Sequence, residues 1–242
     1  MSEKSREEAI VIRQEEIADG VFSMWLKTDE IAKNAKAGQF ISVYCKDGSR
    51  MLPRPISICE IDKKDGALRI VYRVAGKGTE EFSGMRAGMI LDILGPLGNG
   101  FPKKSKKAIL IGGGIGIPPM LELAKELECE KQIVLGYRDE LFLTEEFEKA
   151  GEIYLATEDG SMGTKGTVLD AIRVNELKAD IIYACGPMPM LKALAAYAEE
   201  HGMEAQISLE ERMACGIGAC LGCICKSKTK DDHTNVNNTR IC

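Results

Sequence analysis

Cys215, Cys220 and Cys223 are spaced Cys-x4-Cys-x2-Cys, and two further thiols, Cys225 and Cys242, follow them. With a distant fourth cysteine this is the plant-type [2Fe–2S] spacing, in which four thiolates on a compact loop hold two irons. Gly216, Gly218 and Gly222 permit the tight turns of such a loop and let N–H groups point at the sulfurs. A four-thiolate zinc site is the competing chemistry, but those sites usually carry two Cys-x2-Cys pairs. Cys242 is the expected fourth ligand because the pattern needs a distant return, and Cys225 competes with it. Beyond Cys225 the run from Lys226 to Asp232 is polar and has too little apolar surface to fold unaided. A bound cluster would supply the stabilisation it lacks.

A second constellation is Gly112-Gly113-Gly114-Ile115-Gly116-Ile117-Pro118-Pro119, directly after the apolar run Ala108–Ile111 and opening a helical pattern. Glycines without Cβ let the backbone approach a pyrophosphate, while a helix N-terminus supplies N–H donors and partial positive charge. The two prolines depart from the strict GxGxxG form. Asp139 follows the next strand at roughly the distance where an acidic residue meets an adenosine ribose, which favours NAD. Arg138 beside it would instead favour a 2′-phosphate, and the choice between NAD and NADP stays open.

The third constellation is Arg54-Pro55-Ile56-Ser57 together with Tyr72-Arg73-Val74-Ala75-Gly76-Lys77-Gly78-Thr79. An arginine can pair with pyrophosphate oxygens and a nearby serine can reach a flavin nitrogen. Gly76, Gly78 and Thr79 would add backbone and hydroxyl donors to the same diphosphate. Taken alone, such residues are more often an edge-strand arginine and a turn.

The elements that must position these groups follow from periodicity. Residues 1–102 read as all-β: short strand-like runs at 10–12, 21–26, 40–44, 56–59, 68–74 and 90–94 are separated by Asp19-Gly20, Asp47-Gly48 and Asp65-Gly66, which suggests a small antiparallel barrel. The segment Gly95–Gly100 reads as a break. In residues 103–208, apolar runs at 108–111, 133–137, 153–156 and 181–184 alternate with helical patterns at 118–127, 143–150, 167–174 and 188–201. Strand and helix alternating at this spacing predict a doubly wound parallel α/β sheet. Lys103, Lys104, Lys106 and Lys107 read as a solvated linker at the junction. Residues 209–242 form a third, small module around the cysteines. The expected class is therefore multi-domain, β plus α/β.

Composition sets the outer limits. The chain has 242 residues, 45% apolar and 29% charged, which excludes disorder and collagen-like repeats. A net charge of -5 argues against nucleic acid as a partner. The apolar run 108–121 is too short for a membrane span and is broken by glycine and proline. The charged start, MSEKSREEA, lacks a signal-peptide core, so a cytoplasmic location is expected and the nine cysteines point to metal or redox chemistry. The only histidines are His201 and His233, which leaves little scope for His-based sites.

Taken in order, RPIS, YRVAGKGT, GGGIGIPPM, CGPMPML and LEERMACGIGACLGC resemble the ferredoxin-NADP reductase superfamily and, within it, the electron-transfer subunits of class 1B dihydroorotate dehydrogenase. The resemblance runs over essentially the whole chain. It implies an FAD-binding barrel, a nicotinamide-nucleotide domain and a C-terminal [2Fe–2S] domain. It places Arg54 at the FAD pyrophosphate, Ser57 near the isoalloxazine and Gly76 to Thr79, Lys77 included, around the diphosphate. It puts Cys185-Gly186-Pro187 at a strand end facing the nicotinamide, with Cys185 as the catalytic candidate and Glu158-Asp159-Gly160-Ser161 bordering the pocket. On its own residue chemistry, Cys185 reads as a small buried hydrophobe. Ile56 stands where the superfamily has tyrosine, so aromatic contact with the flavin must come from elsewhere, Tyr72 being the candidate. Relatives commonly extend past the fourth cysteine, where this sequence stops.

A nicotinamide moves two electrons as hydride and an iron–sulfur cluster moves one, so FAD is the converter between NAD(H) and the cluster. No residues offer an acid/base site for a third reactant, so the outer redox partner is a second subunit. The resemblance makes it an FMN-containing dihydroorotate dehydrogenase catalytic subunit, in a heterotetramer of two plus two. Two alternatives stand: a reductase subunit of another complex, sulfhydrogenase- or transhydrogenase-like, and a zinc module on a nucleotide-sensing protein.

Overall fold

The computed structural model describes residues 4–228, 230 and 236–242; part of the polar run, with Thr229, Asp231 and Asp232, and His233 lie outside the described residues. Strands β1 (Ser5–Ala18), β2 (Val21–Lys27), β3 (Phe40–Val43), β4 (Arg54–Asp62), β5 (Ala67–Arg73) and β6 (Ile90–Leu97) close into an antiparallel barrel in the order β1-β2-β5-β4-β3-β6. Alternation drives the closure. Met24 and Leu26 of β2, Ile58 of β4 and Leu68, Ile70 and Tyr72 of β5 turn into the barrel core.

Two features depart from the all-β expectation. Helix α1 (Glu30–Asn34) packs Ile31 and Ala32 into the barrel, and α2 (Lys77–Ser83) buries Phe82 there. Strand β6 also runs through Gly95-Pro96-Leu97 where the sequence suggested a break. Ser5 pairs with Gly95 on one side and Phe40 with Leu97 on the other, and a Cβ on Gly95 would lie 2.8 Å from the Ile41 side chain. Glycine is needed there because Ile41 of β3 and Ile31 of α1 crowd it.

The second domain is a parallel sheet of β7 (Ala108–Gly113), β8 (Lys131–Tyr137), β9 (Glu152–Thr157), β10 (Thr164–Lys165), β11 (Ile181–Cys185) and β12 (Glu204–Ser208), in the order β10-β9-β8-β7-β11-β12. Its central strands are apolar on both faces because helices cover both. Helices α3 (Pro118–Glu126) and α4 (Thr144–Glu148) join Leu110, Leu135 and Tyr183 on one face. Helices α5 (Val168–Val174) and α6 (Met188–Glu200) cover Ile109, Val134 and Ile182 on the other. Chain order reverses between β7 and β11, the switch point at which open α/β sheets bind ligands.

Barrel and sheet share one apolar seam. Val21, Cys59 and Val71 on the barrel's outer side cluster with Met120, Leu121 and Ala124 of α3. Charges orient it. The Arg69 guanidinium, 6% exposed, donates to Ser23 Oγ (2.8 Å), Glu60 Oε2 (2.5 Å) and Glu146 Oε1 (3.2 Å). Lys125 also pairs with Glu60, and Glu122 Oε2 accepts the Ile61 N–H at 3.0 Å. The four junction lysines are not merely solvated: Lys103 pairs with Glu126, Lys107 with Glu130, and Lys104 and Lys106 with Glu204.

The tail adds an antiparallel pair, β13 (Ile224–Lys226) and β14 (Asn238–Arg240). No helix among the described residues is long and apolar enough to cross a membrane.

Removing the seam cation tests this arrangement. Arg69→Met leaves Glu146 unpaired and Glu60 with Lys125 alone, and should cost about 3 kcal/mol of unfolding free energy in a urea titration at pH 7. A loss below about 1 kcal/mol would show that apolar packing alone holds the seam.

Candidate cofactor and metal-binding site

The terminal strand pair explains how the distant thiol returns. Ile224 pairs with Arg240, and the Ile241 N–H bonds the Cys223 carbonyl at 3.1 Å, which brings Cys242 Sγ to 3.0 Å from Cys223 Sγ. Cys225, paired with Thr239, lines a cleft instead. Cys215 and Cys220 form the other couple, with the Cys220 N–H 3.4 Å from Cys215 Sγ and the Cys220 side chain within hydrogen-bonding reach. Burial works against ionisation at Cys215, but N–H groups of Ile217, Cys220 and Ala219, with the Cys220 side chain, pull it down to about 6. Burial, and then the neighbouring Cys223, push Cys242 up to about 11.

Among the described residues, no three metal-ligating side chains converge on a point that a single ion would occupy. The donor set is two couples. That arrangement fits a two-iron cluster, each iron taking two thiolates, better than one tetrahedral zinc. The loop sits on the barrel: a Cβ on Gly216 would be 3.0 Å from Ser42 Oγ and 3.3 Å from Leu97.

A cleft of about 940 Å³ opens where the three parts meet. The barrel contributes Arg54, Pro55, Ile56 and Ser57 of β4, Tyr72 and Arg73 of β5, and Thr79 of α2. The sheet domain contributes Ile115 of the Gly-rich turn. From the tail come Glu210, Cys225 and the strand residues Thr239 and Arg240. Arg54 lies over the start of α2, so close that a Cβ on Gly78 would fall 2.4 Å from its Nε. A guanidinium beside the unpaired N–H groups of a first helical turn makes a cradle for a diphosphate.

The donors differ in detail from expectation. Thr79 Oγ1 accepts the N–H groups of Ala75 (2.9 Å) and Gly76 (3.2 Å), so these serve each other. The N–H groups of Lys77, Gly78 and Thr79 remain, since a helix start offers them no acceptor. Tyr72 reaches the cleft from the barrel core, stacked on Phe22 with its hydroxyl donating to Gln14 at 2.9 Å.

At the switch point Gly112 pairs with Cys185. A Cβ on Gly116 would lie 2.5 Å from the Cys185 carbonyl, and one on Gly113 or Gly186 would strike Met190. Gly114, at φ +53°, faces open space. Cys185 is 1% exposed; burial above all pushes its thiol up to about 12, the Glu210 carboxylate adding to the effect and Ser208 opposing it. It is a neutral thiol at physiological pH. Asp139 lines a second cavity, of about 650 Å³, with Arg73 and Arg138. Asp159 lines neither cavity; its Oδ1 accepts the Ser161 N–H (2.9 Å) and hydroxyl (2.7 Å) in a surface turn.

Sequence reasoning missed Glu210 and Arg240. Burial raises the Glu210 carboxyl above the usual range. Arg240 donates to the Gly218 carbonyl at 2.7 Å while lining the cleft. Neither belongs to a recognisable spacing, and only the fold of the tail reveals them.

A family model for the iron–sulfur cluster binding domain of dihydroorotate dehydrogenase B matches residues 210–242. The chain is 44% identical to a Fusobacterium nucleatum protein named dihydroorotate dehydrogenase B (NAD(+)), electron transfer subunit, over 95% of this chain and 93% of that one. A Streptococcus mutans protein of the same name is 43% identical over 98% and 93%. Among solved structures, an NADH-dependent reduced ferredoxin-NADP oxidoreductase chain superposes with a TM-score of 0.82 at 31% identity, covering 90% of this chain and 82% of that one. An Amycolatopsis cytochrome P450 reductase, at 21% identity and TM-score 0.73 over 86% and 70%, shares the fold.

The Arg54 cradle is open to a single-atom test. Gly78→Ala pushes the guanidinium aside without straining the helix, so the flavin-free chain should be as stable as before, or up to about 1 kcal/mol more so. Its FAD dissociation constant, measured by fluorescence titration, should rise about ten-fold.

Proposed function

The chain belongs to the family of electron transfer subunits of NAD(+)-dependent dihydroorotate dehydrogenase B, and we propose that it conveys electrons from an FMN-containing catalytic subunit, by way of a [2Fe–2S] cluster and FAD, to NAD+ in pyrimidine biosynthesis. The observation that carries this reading is the shared cleft: the arginine and helix start suited to a flavin diphosphate, the Gly-rich turn and the strand leading to Cys242 all wall one space. When bound there, FAD supplies the exchange between two-electron hydride chemistry and the one-electron chemistry of an iron–sulfur centre.

The chain's own groups take the following parts. Arg54 and the N–H groups of Lys77 to Thr79 hold the diphosphate, and Ser57, with Pro55 and Ile56, borders the flavin ring. Gly112, Gly113, Gly114 and Gly116 let a nicotinamide nucleotide approach the sheet edge. Cys185, protonated and buried, gives that site a neutral floor rather than a nucleophile. Cys215 and Cys220 take one iron, and Cys223 and Cys242 the other.

Residues 1–102, 103–208 and 209–242 are the units that carry FAD, nicotinamide nucleotide and cluster. The partner assembles with this chain as a heterotetramer of two plus two, in the cytoplasm; nine free cysteines accord with a reducing compartment.

The isolated chain should show a flavin spectrum, iron and acid-labile sulfide in equal amounts, and an EPR signal on reduction. It should co-purify with an FMN protein when the two are expressed together. A colourless protein holding one zinc would end this reading. Cys220→Ser should abolish transfer to the partner while NADH still bleaches the flavin. Equal loss of both would show that the cluster does not lie beyond the flavin.

A further inference from the structure

Gly216 and Gly218, at φ +66° and +84°, turn the cysteine loop so that its N–H groups face sulfur. Those of Ile217, Ala219 and Cys220 bond Cys215 Sγ, and that of Gly218 bonds Cys242 Sγ. One ligand from each couple is thus held by the same turn.

The 218–219 peptide unit is gripped at both ends. In a trans peptide the C=O and the following N–H point in opposite directions. Arg240 Nη1 donates to the Gly218 carbonyl at 2.7 Å, while the Ala219 N–H of the same unit meets Cys215 Sγ. Hydrogen bonds in such a chain polarise one another, so the guanidinium strengthens the Ala219 N–H as a donor to sulfur. One-electron reduction of an iron–sulfur site adds one negative charge. A nearby cation and firmer N–H···S bonds both favour that state.

The fold fixes the guanidinium where this works. Arg240 pairs with Ile224 in β14, two positions before Cys242, and its side chain lies against Gly218 without crowding it: a Cβ there would sit 3.7 Å from Nη1. Arg240 also lines the large cleft, so its charge lies on the side of the loop that the flavin site shares.

We propose that Arg240 sets the reduction potential of the cluster, raising it through the Gly218–Ala219 peptide, and thereby fixes how electrons divide between cluster and FAD. The proposal rests on the [2Fe–2S] reading above and gives a tuning role to a residue outside the cysteine spacing.

An EPR-monitored redox titration of the assembled holoenzyme reads this directly. Arg240→Gln and Arg240→Met should each lower the cluster midpoint by about 59 mV, a ten-fold change in a one-electron equilibrium. Arg240→Lys, which keeps the charge and a donor, should hold most of the wild-type value. The flavin midpoint, read optically in the same titration, should move far less. EPR counts only the clusters that remain, so partial loss of iron does not hide the result. A wild-type potential in the Gln and Met variants, or an equal fall in all three, overturns the proposal. So does a flavin shift as large as the cluster's, which would make Arg240 a general charge on the cleft. Loss of iron and sulfide from all three variants also overturns it and leaves Arg240 as a strut of the loop. A wild-type chain without iron and sulfide would sink the underlying cluster reading instead.

Discussion

The buried Arg69 guanidinium ties the barrel to the sheet domain, with carboxylates from β4 and α4 on it and Lys125 of α3 sharing Glu60. Hydride transfer needs its reacting atoms held about 3–3.5 Å apart. Sites on two domains can meet that demand only if the domains do not rock. Apolar burial along α3 supplies adhesion but no direction, because the hydrophobic effect is not directional. The charges and the Glu122–Ile61 hydrogen bond supply the direction: a shift of the seam would leave a buried charge without its partner.

The same logic of close approach recurs at smaller scale. Gly116 exists as glycine because the Cys185 carbonyl occupies the space of its Cβ, and Gly78 because Arg54 does. Gly216 seats the cysteine loop on Ser42 of the barrel. In each case one missing methyl lets a segment from elsewhere in the chain lie against it.

Much of this was legible in the sequence, for identifiable reasons. The four inner strands of the sheet, β7, β8, β9 and β11, carry apolar runs, and the helices between them keep their period, so their succession could be read directly. The edge strands β10 and β12 carry no such run and could not be read. The Cys-x4-Cys-x2-Cys spacing and the Gly-rich turn are local patterns, and local patterns survive in a linear text. Other features escaped. Gly95-Pro96-Leu97 carries turn-forming residues yet is a strand, because neighbours on both sides impose the pairing. Helix α2 begins on residues that read as a turn, because Gly76 and Gly78 flank Lys77, and it buries only Gly78 and Phe82. The pairing of Ile224 with Arg240, which sets Cys242 beside Cys223 and Cys225 against the cleft, is contained in no spacing rule. Arg73 and Arg138 lie 65 positions apart and meet only because the seam joins their domains.

Strand β14 has two tenants. Thr239 and Arg240 wall the large cleft, while Arg240 also grips Gly218 and the next residues lead to Cys242. Oxidative attack that strips the metal would therefore slacken one wall of the cleft and leave Arg54 and the start of α2 on the barrel untouched. A flavin gripped from that side would stay seated, so the damaged subunit is expected to linger as a half-working flavoprotein that spills reducing power onto oxygen.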